Sequence, residues 1–268
     1  MQASPVQHHP VYGPALPDQN WVPAPRYLLR RARVLHHVQH MAPCRVADIG
    51  CGAAALLSEL ARRGFEAYGI DRSPQALTLA QHLVDEGAPM ELSPELRSEW
   101  AGKFDLVFSF EVIEHLEDDI GAMQDWSQYL APGGKLILST PAHPHRWNAA
   151  DEWAGHVRRY TRAQLKEHMQ AAGFIVEHVE CYGFPLANIM EIWRARAYHK
   201  AMQNKEKQGK GADKLTDESG ADRSFETRFW RIFSCWPSTL LMRTATLLQI
   251  PFLNRDLGNG YLVIARKA

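Results

Sequence analysis

Val46-Ala47-Asp48-Ile49-Gly50-Cys51-Gly52 reads as a short apolar strand that ends in a glycine turn and runs straight into the helical stretch Ala54–Arg63. Glycine at such a turn lets the backbone bend sharply and lets a ligand approach it closely. The helix start that follows offers unpaired N–H groups to an anion. A second strand, Phe65–Ile70, ends in Tyr68-Gly69-Ile70-Asp71-Arg72-Ser73. Asp71 stands at the spacing expected of a carboxylate that accepts both hydroxyls of a ribose.

Outward from this unit the chain keeps alternating. Helices are expected over Arg26–Met41, Pro74–Glu86, Ile120–Leu130 and Thr161–Ala172. Strands are expected over Arg45–Ile49, Phe104–Phe110, Lys135–Ser139 and Phe174–Cys181, with a weak one near Met90–Leu92 and a turn at Pro132-Gly133-Gly134. Strand and helix in alternation predict an α/β fold with a mainly parallel sheet. Residues 1–25 hold six prolines and are expected to form an extended arm or lid. The core is expected over 26–182, a helical insertion over 183–259, and a last strand within 260–268. In the insertion, Leu186, Ile189, Met190, Trp193, Ala197 and Tyr198 fit one helix face. Residues 203–223 read as a flexible loop. Phe225, Phe229, Ile232, Phe233 and Trp236 fit a second helix stopped at Pro237.

The chain has 268 residues, 46% hydrophobic, with 30 Lys and Arg against 30 Asp and Glu. This neutral balance gives no support to a duplex nucleic-acid binder. No apolar run reaches membrane-spanning length, and the first twenty residues lack the pattern of a secretory leader. The four cysteines fit neither a zinc ribbon nor a disulfide scaffold. Reduced thiols and a cytoplasmic location are the expectation.

Asp48 two residues before Gly50 departs from a dinucleotide fingerprint, whose third glycine would fall at Ala55. The pattern resembles the Asp-x-Gly-x-Gly-x-Gly loop of class I S-adenosylmethionine (AdoMet) methyltransferases, with Ala54 in place of the last glycine. Phe104-Asp105-Leu106-Val107-Phe108, Leu130-Ala131-Pro132-Gly133-Gly134 and Gly173-Phe174 resemble later landmarks of that family, in its order. The resemblance implies a Rossmann-like seven-stranded sheet with helices on both faces, an antiparallel last strand and AdoMet as cofactor. It places Asp48, Gly50, Cys51, Gly52, Asp71, Arg72 and Phe110 against that cofactor, with Glu91, Leu92 and Ser93 near the adenine.

Glu111-Val112-Ile113-Glu114-His115 follows the fourth strand. On a helix, positions i, i+3 and i+4 share one face, and two carboxylates with an imidazole suit a divalent cation. The segment resembles the Glu-x-x-Glu-His metal motif of small-RNA 2′-O-methyltransferases and its counterpart in ubiquinone-pathway O-methyltransferases. Both place a later histidine after the fifth strand. Here that is His156, with His143 and His145 as rivals. Three roles stay open: Mg²⁺ or another divalent metal on Glu111, Glu114, His115 and His156; catalysis by Glu111 and His115 without metal, His115 as base; or ordering of the loop.

The reading that results is methyl transfer to a hydroxyl of a small molecule, such as a specialised metabolite, lipid or glycan unit. RNA 2′-O-methylation, N- or C-methylation and a non-catalytic AdoMet-binding partner subunit are the alternatives. An NAD-dependent oxidoreductase is disfavoured by the glycine spacing. Arg158, Arg159 and Arg162 read as a solvated helix start or a grip on substrate. Trp147, Trp153 and Tyr160 read as core or as walls of an acceptor site. The insertion is expected to cap the site, with peripheral membrane contact or a dimer contact as rivals, in a monomer or homodimer.

Overall fold

A computed structural model describes residues 6–206 and 227–268, with backbone alone for 201–206. In chain order the elements are β1 Gln7–His9, β2 Gly13–Ala15, α1 Pro25–Val38, β3 Arg45–Ile49, α2 Ala55–Ala61, β4 Glu66–Ile70, α3 Pro74–Asp85, β5 Met90–Ser93 and β6 Phe104–Phe110. They continue as α4 Asp119–Ser127, β7 Leu130–Pro141, α5 Ala149–Ala154, α6 Arg162–Ala171, β8 Phe174–Tyr182, α7 Leu186–Glu206, α8 Trp230–Phe233, α9 Trp236–Leu248 and β9 Gly260–Lys267.

Strands β5-β4-β3-β6-β7-β9-β8 form one seven-stranded sheet. The first five are parallel, and β9 runs antiparallel between β7 and β8. Strand alternation splits the core in two. Val46, Leu106, Phe108 and Leu262 pack on the face covered by α1, α2 and α3. Ala47, Val107, Leu136 and Val263 pack on the other, under α4 and α6. The chain crosses from β5, at one edge, back to β6 beside β3. Ligands of open α/β sheets bind at the carboxyl ends of the strands where the order reverses in this way.

Four expectations are corrected. The N-terminal segment, expected as an extended arm or lid, is packed over residues 6–25: β1 and β2 pair as a hairpin, and Tyr12, Trp21 and Val22 are buried in the core. The proline-glycine turn lies inside β7, where a shift in pairing between Phe104 and Leu106 absorbs Ala131–Gly134 as a bulge. Pro237 stops nothing; it sits in the first turn of α9, where a missing N–H costs no bond. In α7 the apolar residues assigned to one face are divided between two, with Ile189 and Trp193 exposed and Met190 and Tyr198 turned to a cleft. The expected flexible loop lies outside the described residues from 207 onward, and its first residues, 203–206, complete α7.

Candidate active site

Loop 50–54 is tied to the next strand. Gly50 and Cys51 donate their N–H groups to the Ile70 carbonyl at 2.8 and 3.1 Å. Gly52 donates to Asp71 Oδ2 at 2.8 Å, and Ser73 donates to Asp71 Oδ1 at 2.9 Å. Asp71 donates its own N–H to the Ser93 carbonyl, so the ends of β3, β4 and β5 are tied together. Gly50 has φ +76°, and a Cβ there would lie 2.4 Å from Val112 Cγ2. Gly52 has φ +55°, and a Cβ would enter open space. Ala54 takes φ +53° where the resemblance puts glycine, a conformation that costs an L-residue about 1–2 kcal/mol.

Asp48 is buried, and its Oδ1 has no hydrogen-bond partner among the described residues. Burial pushes its carboxyl up to about 7, although Arg30 opposes this. Cys51 is likewise pushed up by burial, which leaves it a neutral thiol. Arg72 is exposed. Phe110 is buried, with the Arg30 guanidinium 4.8 Å above its ring.

Arg26 and Arg30, one helical turn apart on α1, are the functional candidates that sequence reasoning missed. Their i, i+4 spacing at the start of a helix was the available signal. Arg26 lies 2.7 Å from Glu111 Oε2, and Arg30 lies 3.5 Å from Glu111 Oε1. Ser139 and Tyr182 donate hydroxyl hydrogen bonds to Oε1 at 2.8 and 3.1 Å. Burial would raise the Glu111 pKa, but the two arginines override it and hold it down at about 2.

This engagement separates Glu111 from the other three expected metal ligands. No helix carries the motif: Glu111 has φ +60°, and Ile113–His115 is one turn of 3₁₀ helix. Donor atoms of Glu114, His115 and His156 instead gather within 4.8 Å of one another. Glu114 is fully buried; Thr140 donates to its Oε2 at 3.2 Å, while Oε1 has no hydrogen-bond partner among the described residues. Burial and the nearby Glu111 push its carboxyl well up. His115 Nδ1 lies 3.3 Å from the Gly155 carbonyl, and His156 Nδ1 lies 2.9 Å from Asp151 Oδ1. Both partners only accept, so each Nδ1 carries a proton, and Nε2 is the ring nitrogen left for any further partner. Burial, then His156, pushes His115 down to about 4.

Asp151 is the anchor of this arrangement. It accepts from Arg159 through both oxygens at 2.7 Å and from the Asn148 N–H at 2.8 Å, closing a capping box at the start of α5. Arg159 also reaches Glu191 at 2.7 Å. The three arginines read as a solvated start are therefore all paired: Arg158 with Asp119, Arg159 with Asp151, Arg162 with Asp256. Tyr160 is core and donates to Asp119 at 2.6 Å. His143 turns away to the Gly258 carbonyl, and His145 sits beside it.

Next to Glu111, His115 and His156 opens a cleft of about 270 Å³, walled by Arg26, Tyr27, Met190, Arg194, Tyr198 and Phe233 among others. Its lining includes Glu111 and Arg30 but none of residues 50–54, and it is roomy enough for a small acceptor.

A family model described as "Methyltransferase domain" matches residues 24–179, well over half of the chain. The chain belongs to that family. The match runs from the residue before α1 through β8, so it takes in loop 50–54, Asp71 and the Glu114 cluster. Relatives by sequence are named ubiquinone biosynthesis O-methyltransferases. The one from Caulobacter sp. (strain K31) is 37% identical over 101 residues, which is 36% of this chain and 40% of that protein. The one from Xanthomonas axonopodis pv. citri (strain 306) is 36% identical over 104 residues, 37% of this chain and 44% of that protein. The methyltransferase thus spans less than half the length of the curated relatives it matches.

Among solved structures, the [4+2]-cyclase SpnF superposes with TM-score 0.56 at 16% identity, covering 98% of this chain and 88% of that one. The chain therefore shares that protein's fold, and membership of the methyltransferase family supports AdoMet as its cofactor. A fold shared with a protein named a cyclase does not by itself fix the reaction.

Proposed function

We propose that the chain moves the methyl group of AdoMet to a hydroxyl oxygen of a small molecule, with a divalent cation held by Glu114, His115 and His156. The observation that carries the metal part is the buried Glu114 Oε1, which has no hydrogen-bond partner among the described residues and lies 3.9 Å from His156 Nε2, beside two imidazoles whose Nδ1 atoms are held by Gly155 and Asp151. The relatives' printed activity favours oxygen as the acceptor. One carboxylate and two imidazoles suit Zn²⁺, Mn²⁺ or Co²⁺ better than Mg²⁺.

When bound, such an ion would acidify an acceptor hydroxyl. The chain's own groups supply the rest. Loop 50–54 and Asp71 hold the cofactor. Arg30, over Phe110 and beside Asp48, is placed to neutralise its carboxylate. The cleft aligns the acceptor, and alignment alone supplies much of the rate. The acceptor oxygen takes the methyl as the carbon–sulfur bond breaks, S-adenosylhomocysteine leaves, and the hydroxyl proton departs. His115, neutral at pH 7, can take that proton when no ion is bound.

Calorimetric titration of S-adenosylhomocysteine and, separately, of Mn²⁺ or Zn²⁺ tests the reading. Cofactor binding, together with one metal site lost in Glu114→Gln and in His156→Ala but kept in Glu111→Gln, is the expected result. Cofactor binding without any metal site overturns the metal assignment and leaves His115 as the base. No cofactor binding overturns the whole reading.

A further inference from the structure

Helix α9 is built with its greasy side outward. At about 3.6 residues per turn, Trp236, Leu240, Leu241, Leu247 and Leu248 fall on one face, and all are exposed, Trp236 by 76% and Leu247 by 67%. The opposite face carries only Met242 and Ala245 into the core, with Gln249 beyond them donating to the Leu29 carbonyl at 3.1 Å. Helix α7 repeats the pattern. Its inner side lines the cleft, while Ile189, Ile192 and Trp193 are exposed, Trp193 by 69%. The two helices meet end to end: Gly183 donates to Gln249 Oε1 at 3.0 Å, and the Phe184 and Phe252 rings stand 4.8 Å apart. Large outward apolar surface of this kind marks a place of contact.

Among the described residues, the exposed charges on α7, α8 and α9 are of one sign. Arg231 and Arg243 are exposed on α8 and α9, Arg196 and Lys200 on α7. From Thr227 to Asn254 the sequence holds no Asp or Glu. Among the described residues no helix is long and apolar enough to cross a membrane.

We propose that this surface docks on the face of a bilayer containing anionic lipid. Tryptophan and leucine would enter the boundary between headgroups and acyl chains, and the arginines would meet lipid phosphates. A symmetric pairing of two copies through the same patch would instead bring cations toward cations, with no exposed acid among the described residues of these helices to offset them. The proposal rests on exposure and charge, independently of the reaction assigned to the site.

Flotation of the full chain with vesicles of phosphatidylcholine, with and without phosphatidylglycerol, is the test. Three proteins are compared: wild type, Trp236→Ser with Leu240→Ser, and Arg231→Glu with Arg243→Glu. These positions are exposed, so folding and S-adenosylhomocysteine affinity serve as controls and should not change. The expected result is wild-type binding to the anionic vesicles only, weakened by salt, and reduced about tenfold or more by either pair of substitutions. Equal binding by all three proteins, or binding indifferent to phosphatidylglycerol, overturns it. So does absence of vesicle binding. If light scattering then shows a dimer that Trp236→Ser with Leu240→Ser dissolves, the face belongs to a second copy.

Discussion

Replacing Asp151 by Asn separates what orients His156 from what merely supports α5. The Asp151 side chain is almost completely buried, and its carboxylate binds His156, Arg159 and the Asn148 N–H at once. Burial would raise its pKa, but hydrogen bonds from His156 and Arg159 lower it from 3.8 to about 2. At about 1.4 kcal/mol per tenfold change in proton affinity, that is on the order of 2 kcal/mol of stability. Because the folded pKa is the lower one, this contribution is present above pH 4 and lost as pH falls toward 2. Asp151→Asn should therefore lower the urea-unfolding free energy by about 2 kcal/mol at pH 7. It should also cut affinity for Mn²⁺ or Zn²⁺ by about 10–100-fold, the usual effect of removing a carboxylate behind a ligating imidazole. The control is Asn148→Ala, which removes the helix cap at a cost of about 1 kcal/mol but leaves the His156 partner in place. Calorimetric metal titration beside urea unfolding reads both variants. If both lose stability while metal affinity stays at the wild-type value in each, Asp151 is only structural and the orientation argument fails.

Further predictions concern the loop, a remote ion pair and pH. Gly50→Ala should abolish S-adenosylhomocysteine binding and lower the melting temperature, since its methyl would strike Val112 at 2.4 Å. Gly52→Ala meets no protein atom, so affinity lost there with less loss of stability measures how closely the cofactor approaches. Glu180, buried between Arg33 at 2.8 Å and His37 at 3.3 Å, should lose about 3–5 kcal/mol on Glu180→Ala, because Arg33 is left buried without its counter-ion; chemical unfolding checks this. His115 should titrate near pH 4 by NMR in the metal-free protein. Its folded pKa is depressed, so stability falls as pH drops from about 6.5 to about 4 while the unfolded chain takes up the proton first. A midpoint near 6.5 would contradict the burial argument.

The sequence determined the elements and the cofactor loop because both are local. Short apolar runs placed β3, β6 and β8, and helices alternate with most of the strands. The glycine turn and Asp71 are close in sequence and fixed by adjacent parallel strands, so their partnership through Gly52 follows from spacing. The candidate site beyond the loop is different in kind. Glu111 looked equivalent to Glu114, but α1, some eighty residues earlier in the chain, brings Arg26 and Arg30 onto it. That long-range pairing makes one carboxylate a permanent anion, while burial leaves the other a weak acid next to two imidazoles. Asp151, which nothing in the sequence singled out, holds His156 because α5 and the turn after it fold back together. In the insertion, spacing alone could suggest amphipathic helices but not which side faces in. Packing on α1 and the cleft took up Met242, Ala245, Met190 and Tyr198, and left Trp193, Trp236 and the leucines of α9 outside. Local propensity sets where an element forms; only the competition among distant partners for buried space sets which of its side chains are covered and how their charges are held.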